Sequence, residues 1–244
     1  MTVKRCRDAS GVDMARRTLL STGLVASTSA AVIVGTRELG AADKPTLAVF
    51  VVTEIHSRAL QDSLASGFPA FEVIAFSRVR DFERKLRDNP AAVIAMGNLL
   101  RDKNLRVVAS GRTASGSAIE PYVVMSLIEN TDLGKLATIG VIDILGRAGM
   151  ERVAAQLVGG APRVERVAKV QDLLPLLQLK AADAVLLPER LVPTLQTRSV
   201  QKLYIARARG GLELPAFVGS SSAATALHKL DAAVNRFLGV SQWA

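Results

Sequence analysis

The chain has 244 residues, of which 49% are hydrophobic and 22% are charged, so it can bury a sizeable core and is not a disordered chain. Its formal net charge of +9 favours anionic partners, but the basic residues are scattered singly and aromatic residues make up only 4% of the chain. Because nucleic-acid surfaces combine a basic stripe with stacking aromatic rings, we expect no nucleic-acid partner.

The N-terminal residues 1–42 have the layout of a signal peptide. Arg16-Arg17 precedes an uncharged run over 18–36, and the small residues of Gly40-Ala41-Ala42 allow cleavage after position 42. The twin arginine is typical of Tat export, although Sec export stays open, and Met14 is an alternative start. We therefore expect a periplasmic protein; an uncleaved N-terminal membrane anchor is the alternative.

Strand and helix patterns alternate after the leader. The predicted strands are 46–53, 71–77 and 91–96, and the predicted helices are 56–66 and 81–88. Pro90 ends the second helix, and Gly97-Asn98 is predicted as a turn. Strands that alternate with helices indicate a parallel or mixed sheet covered on both faces.

The alternation restarts further along the chain. Strands are predicted at 137–143, 164–169, 184–188, 202–206 and 214–218, and helices at 147–158, 172–179 and 191–196. One long C-terminal helix is predicted over 223–238, with an N-cap among Ser220, Ser221 and Ser222 and an end at Gly239. The sequence thus predicts two α/β units.

The segment between the units, 110–126, is rich in glycine and hydroxyl side chains. Gly111 and Gly116 have the spacing of a phosphate-binding loop, but Ser117 stands where that loop requires lysine, and a strand follows where a helix is needed. We therefore do not expect a nucleotide-binding loop here.

Two interpretations of this segment stay open. In the first it is a loop beside a crossing between the units, and Arg112 pairs with a carboxylate or oxyanion. The hydroxyl groups that assist Arg112 are then those of Thr113, Ser115 and Ser117. In the second the segment is the tip of a surface hairpin between strands at 107–110 and 122–126.

Several short motifs resemble those of the type II periplasmic solute-binding proteins of ABC transporters. An extended run at 122–126 is followed by Asp132-Leu133-Gly134-Lys135 and Ile139-Gly140-Val141, and the later passage contains Asp172, Leu176 and Ala182-Asp183-Ala184. The likeness covers most of 45–238 and looks nearest to the branch of phosphonate and related oxyanion binders.

This resemblance implies an α/β, two-lobed fold with two mixed sheets and two inter-lobe crossings. Lobe 1 would comprise 43–121 and 215–244, and lobe 2 would comprise 122–214. The crossings would lie near 120–126 and 213–219, where Pro121 and Pro215 stiffen extended backbone.

Ligands of open α/β sheets bind beyond the carboxyl ends of the strands, where helix N-termini attract anions. Besides the loop residues named above, seven residues follow predicted strands in this way: Thr53, Glu54, His56, Ser57, Asn98, Arg147 and Glu189. We expect these side chains to contact a small anionic ligand.

Catalytic signatures are missing from the sequence. His56 and His228, the only histidines, lie in different predicted elements without metal-ligand spacing. The only cysteine, Cys6, lies in the expected signal peptide, and no Gly-x-Ser-x-Gly elbow is present. We therefore expect no catalytic residue, metal or cofactor, and a hydrolase or transferase is the least favoured class.

Two other classes of function stay open. The first is a monomeric binding protein that captures a small anionic solute and presents it to an ABC permease or a membrane sensor. The second is an accessory protein that keeps the fold without a ligand. A basic, open cleft with Arg112 and Arg147 on opposing walls would favour the first, and an apolar, plugged cleft would favour the second.

Overall fold

A computed structural model describes residues 44–244 of the protein. The expected signal peptide, with Arg16-Arg17, Met14 and Cys6, lies outside these residues. Among the described helices, none combines the length and the apolar character that crossing a membrane requires.

The strands of the described residues are β1 (Thr46–Phe50), β2 (Glu72–Ala75), β3 (Ala92–Met96), β4 (Ala109–Arg112), β5 (Ile119–Ser126), β6 (Thr138–Ile142), β7 (Arg163–Val167), β8 (Ala184–Pro188), β9 (Tyr204–Glu213), β10 (Pro215–Val218) and β11 (Gln242–Trp243). The helices are α1 (Ser57–Ala65), α2 (Val79–Leu86), α3 (Gly97–Asp102), α4 (Gly146–Val158), α5 (Leu173–Gln178), α6 (Val192–Arg198), α7 (Ser221–Ala224) and α8 (Ala232–Leu238).

The first sheet has six strands in the order β11-β4-β10-β3-β1-β2. Strands β2, β1 and β3 run parallel, and β10, β4 and β11 continue the sheet in antiparallel pairs. Every residue of β3 is buried, which explains its unbroken apolar sequence: a strand covered on both faces needs no alternation of polar and apolar residues.

The second sheet has five strands in the order β7-β6-β8-β5-β9. Strands β7, β6 and β8 run parallel, like β2, β1 and β3 of the first sheet. Strand β5 pairs antiparallel with both β8 and β9. The fold is thus mixed α/β, as the alternation of strands and helices predicts, and has two mixed sheets, as the resemblance implies. Both sheets belong to one compact unit, Asp43–Ala244.

The chain crosses between the sheets twice, once between β4 and β5 and once at Leu214 between β9 and β10. The hairpin interpretation of 110–126 is therefore wrong, because β4 pairs with β10 and β11 while β5 pairs with β8 and β9. Gly97 allows the second crossing to approach closely: a Cβ atom there would lie 2.9 Å from the Glu213 Cβ and 3.1 Å from the Leu214 carbonyl oxygen.

The C-terminal region differs from its prediction. In place of one helix over 223–238 it forms α7, a single 3-10 turn at Leu227–Lys229, and α8. Asp231 causes the break, because its extended backbone starts a new helix and its Oδ1 accepts a hydrogen bond from the Val234 N–H at 2.7 Å. The predicted cap at Ser220 and the predicted end at Gly239 are both confirmed.

Two further details were not predicted. The Gly97-Asn98 turn is in fact the first turn of α3, and the short strand β11 adds the chain end to the edge of the first sheet beside β4. A two-residue strand carries no periodic signal, so only the pairing with β4 reveals it.

Apolar side chains from both sheets form one continuous buried cluster. It contains Phe50 and Val52 from the first half, and Ile142, Val170 and Leu187 from the second. Because this core continues from one sheet to the other, the strand ends of the two sheets are held close together.

Candidate functional site

Three hydrogen bonds join the chain just beyond β1 to the second half of the protein. The Gln171 Nε2 donates to the Glu54 carbonyl oxygen at 2.7 Å, and the Arg190 Nη2 donates to the Val52 carbonyl oxygen at 2.6 Å. The Thr194 hydroxyl donates to the Glu54 carboxylate. Protein groups therefore occupy the position beyond β1 where ligands of open α/β sheets usually sit.

A small cavity remains beside these contacts, and we name it the strand-end cavity. Its volume is about 110 Å³. Its polar lining comes from Thr53, His56, Ser57, Ser77, Lys169 and Gln171, and its apolar lining includes Phe50, Phe76 and Ile142. Residues that follow β1 and β2 thus share the cavity with the last residue of β6 and with residues that follow β7.

The strand-end cavity has a cationic character. The Lys169 ammonium group lines it, and no carboxylate side chain of residues 44–244 does so. His56 and Ser57 also place the N-terminus of α1 at the cavity wall, and the first turn of this helix contains no acidic residue. Free amide groups and a positive dipole end favour an anionic group at such a position.

The residues predicted from strand ends divide into those at this cavity and those elsewhere. Thr53, His56 and Ser57 line it, and Glu54 adjoins it with its carboxylate bound by Thr194. Asn98 instead holds the second crossing, because its Oδ1 accepts a hydrogen bond from the Glu213 N–H at 2.6 Å.

The two arginines predicted as ligand contacts lie outside this cavity. Arg112 lies in β4, where its carbonyl oxygen accepts a hydrogen bond from the Ser241 N–H at 2.8 Å, and Arg147 is exposed in the first turn of α4. Neither side chain lines the strand-end cavity.

The remaining predicted residues gather at the first crossing. Thr113, Ser115, Ser117 and Glu189 line a cavity of about 660 Å³, which we name the loop cavity. The hydroxyl groups are partly used within the loop: the Thr113 Oγ1 lies 2.9 Å from the Ser115 Oγ and accepts the Ser117 N–H at 3.0 Å.

A larger cavity of about 740 Å³ lies next to the loop cavity, and we name it the crossing cavity. The two share Thr113, Pro121 and Glu189. The rest of the crossing cavity is formed mainly by residues around α8 and by Glu120 and Arg190.

Glu120 and Arg190 form a buried ion pair that the sequence analysis missed. Glu120 is 4% exposed, and its Oε1 lies 2.5 Å from the Arg190 Nε. Burial raises the pKa of the Glu120 carboxyl, and the Arg190 guanidinium opposes that rise. Glu120 precedes Pro121 in an extended run, and this pattern does not indicate a buried side chain. Because Arg190 lies far away in sequence, the pairing could not be predicted.

Tyr122 is also buried near this pair, and its hydroxyl has no hydrogen-bond partner among the described residues. Burial raises the pKa of this hydroxyl far above its ordinary value, with a smaller contribution from Glu120. The phenol therefore stays neutral.

We expect Tyr122→Phe to raise the free energy of unfolding by about 1 kcal/mol, because the change removes a buried polar atom that has no partner and keeps the ring. Urea denaturation measures the difference. Tyr204→Phe, at a half-buried ring under Lys202, is the control and should leave stability unchanged. A clear loss of stability in Tyr122→Phe would show that the hydroxyl is satisfied.

Within residues 44–244, no group of three or more His, Cys, Asp or Glu side chains is arranged to hold a metal ion.

Comparisons with known proteins agree on the fold. No protein-family model matches the chain, and no curated protein matches its sequence. Solved structures do match. The VFT2 domain of Bordetella pertussis BvgS, as a double mutant, is 15% identical with a TM-score of 0.53, over 80% of this chain and 91% of that one.

Two solute-binding proteins are similar to the same degree. A periplasmic His/Glu/Gln/Arg/opine family-binding protein from Silicibacter pomeroyi, in complex with lysine, is 12% identical with a TM-score of 0.52, over 81% of this chain and 98% of that one. The substrate binding protein of an amino acid ABC transporter is 15% identical with a TM-score of 0.50, over 80% of this chain and 92% of that one. The protein has the two-lobed fold of periplasmic solute-binding proteins. None of these three proteins is described as a phosphonate binder, so that narrower resemblance gains no support.

Proposed function

We propose that the protein is an exported, periplasmic binding protein that captures a small solute between two lobes and presents it to an ABC permease or a membrane sensor. The lobes would be 43–121 with 215–244, and 122–214. The observation that carries this proposal is the strand-end cavity, because its polar lining comes from both sheets. We propose that it acts as a monomer and without catalysis.

The ligand that fits this cavity best carries an anionic group. Lys169 and the N-terminus of α1 supply positive potential, and within residues 44–244 no carboxylate side chain lines the cavity; that of Glu54 adjoins it and is bound by Thr194. The cavity is smaller than the roughly 300–1,000 Å³ usual for ligand pockets, so the ligand is small or binding widens the cleft. The carboxylate of an amino acid meets these conditions, as do phosphonate and related oxyanions.

One observation favours a second function, that of an accessory protein without a ligand. The carbonyl oxygens of Val52 and Glu54 are already bonded to Arg190 and Gln171, so protein contacts join the two lobes. A protein that closes in this way presents a constant surface to a partner.

A thermal-shift screen of the purified protein separates the two functions. The panel consists of amino acids, other carboxylates, phosphate, phosphonates and sulfonates. A binding protein gains apparent stability with its ligand at saturating concentration, because the ligand binds only the folded state. A panel without any shift would favour the accessory function.

We expect Lys169→Ala to weaken the anionic ligand found in this way by at least about tenfold, the effect of losing one charge-assisted hydrogen bond. Isothermal titration calorimetry measures the affinity. The matched control is Lys229→Ala, at an exposed lysine outside the cavity. Equal affinities of wild type and Lys169→Ala would remove Lys169 from the site.

A further inference from the structure

Gln171 lines the strand-end cavity in a defined orientation. Its Nε2 donates to the Glu54 carbonyl oxygen at 2.7 Å. Because a carbonyl oxygen can only accept a hydrogen bond, the amide nitrogen must face Glu54 and the Gln171 Oε1 must point away from it. No side chain of residues 44–244 donates a hydrogen bond to this Oε1. Gln171 therefore offers a hydrogen-bond acceptor at the cavity.

Lys169, two residues earlier in the chain, offers the same cavity a positive charge. Its side chain lines the cavity and forms no ion pair with any residue of 44–244. The Glu54 carboxylate adjoins the cavity without lining it and is bound by Thr194. A ligand can therefore place a carboxylate group at Lys169 and a hydrogen-bond donor at Gln171.

The donor that fits Gln171 is a hydroxyl group rather than an ammonium group. Both groups can donate to an amide oxygen. An ammonium group removed from water needs a nearby negative charge, but here it would share the cavity with the like charge of Lys169. A hydroxyl group carries no charge, and it can also exchange hydrogen bonds with Thr53, Ser57 or Ser77.

The volume of the cavity limits the ligand to few atoms. At about 110 Å³ it is smaller than the roughly 150 Å³ cavity that accommodates benzene. A ligand of about six non-hydrogen atoms or fewer therefore fits, and a carboxylate group takes up about half of them. The hydroxyl group must then stand close to the carboxylate. Phe50, Phe76 and Ile142 leave apolar surface for a methyl group.

We propose that the strand-end cavity binds a small 2-hydroxycarboxylate such as L-lactate. The carboxylate pairs with the Lys169 ammonium group, the hydroxyl donates to the Gln171 Oε1, and the methyl group packs against the aromatic lining. This inference rests on the proposed binding function and narrows it, because it disfavours ligands that carry an ammonium group.

Calorimetric titration of the purified protein with L-lactate, propionate and L-alanine tests the proposal. The three probes share a carbon skeleton and a carboxylate, and at the second carbon they carry a hydroxyl group, a hydrogen atom or an ammonium group. We expect L-lactate to bind at least about tenfold more tightly than either of the others. Equal affinity for propionate overturns the role of the hydroxyl group, and equal or tighter binding of L-alanine overturns the exclusion of the ammonium group.

Gln171→Leu assigns the hydroxyl contact, because it removes the Oε1 and keeps a similar size. This variant should lose the preference for L-lactate over propionate. The loss of the hydrogen bond to Glu54 changes both affinities alike, so the ratio reports the contact to the ligand. Gln196→Leu, at an exposed position of α6 outside the cavity, is the matched control and should keep the preference. An unchanged ratio in Gln171→Leu contradicts the assignment.

Failure of this inference and failure of the proposed function give different results. If L-lactate does not bind but another anion of the thermal-shift panel stabilises the protein, the inference is wrong and the binding function stands. If neither the three probes nor the panel bind, both are wrong. Lys169→Ala should weaken L-lactate and propionate by the same factor, because both carry the carboxylate; a loss confined to L-lactate would contradict the pairing of Lys169 with that group.

Discussion

Arg190→Ala is expected to lower the free energy of unfolding by about 3 kcal/mol, the lower end of the effect of breaking a buried ion pair. The loss has two sources. Glu120 keeps a buried charge without its partner, and the Val52 carbonyl oxygen loses the hydrogen bond that joins it to Arg190. We expect an effect at the lower end of this range because the Arg190 side chain is 23% exposed and therefore partly solvated.

A double-mutant cycle tests this explanation. Adding Glu120→Gln to Arg190→Ala should recover at least about half of the lost free energy, since the orphaned charge is then absent. Urea denaturation of the four proteins gives the coupling energy. Arg198→Ala, at the exposed last position of α6, is the control and should change stability little. A small effect of Arg190→Ala, with additive double-mutant values, would contradict the buried pair.

Buried parallel strands were the most predictable part of the fold. β8 was predicted at its exact bounds, and β3 was predicted to within one residue. Both are fully buried, so their apolar runs are unbroken and turn residues mark their ends. The C-terminal helix was predicted wrongly because Ala and Leu at helical spacing continue through Asp231, whose capping role depends on the local backbone.

Strand ends also located part of the candidate site. Thr53, His56 and Ser57 line the strand-end cavity because they directly follow β1, and that relation follows from topology. Arg112 does not line this cavity: it lies in β4, which pairs with β11, and a two-residue strand has no sequence signal. The Glu120–Arg190 pair joins distant segments, and a single sequence carries no record of such a contact.

The wall of the strand-end cavity depends on an aromatic residue behind it. Phe82 on α2 is fully buried; its ring is stacked 5.4 Å from the ring of Phe50 and meets Phe76 edge-on at 6.0 Å between centroids. Phe50 and Phe76 both line the cavity. Phe82 therefore supports two rings that line the cavity, although it does not line the cavity itself.

Phe82→Ala should lower the free energy of unfolding by about 3–5 kcal/mol, because it opens a void in a close-packed core. The same void lets Phe50 and Phe76 move away from the strand-end cavity, so affinity for the anionic ligand should fall as well. Phe82→Leu fills most of the space and should cost only about 1 kcal/mol with a smaller loss of affinity. Urea denaturation and calorimetry on the same proteins measure both effects. Lost stability with unchanged affinity would show that the cavity wall is independent of Phe82, and that the ligand is held by the polar lining alone.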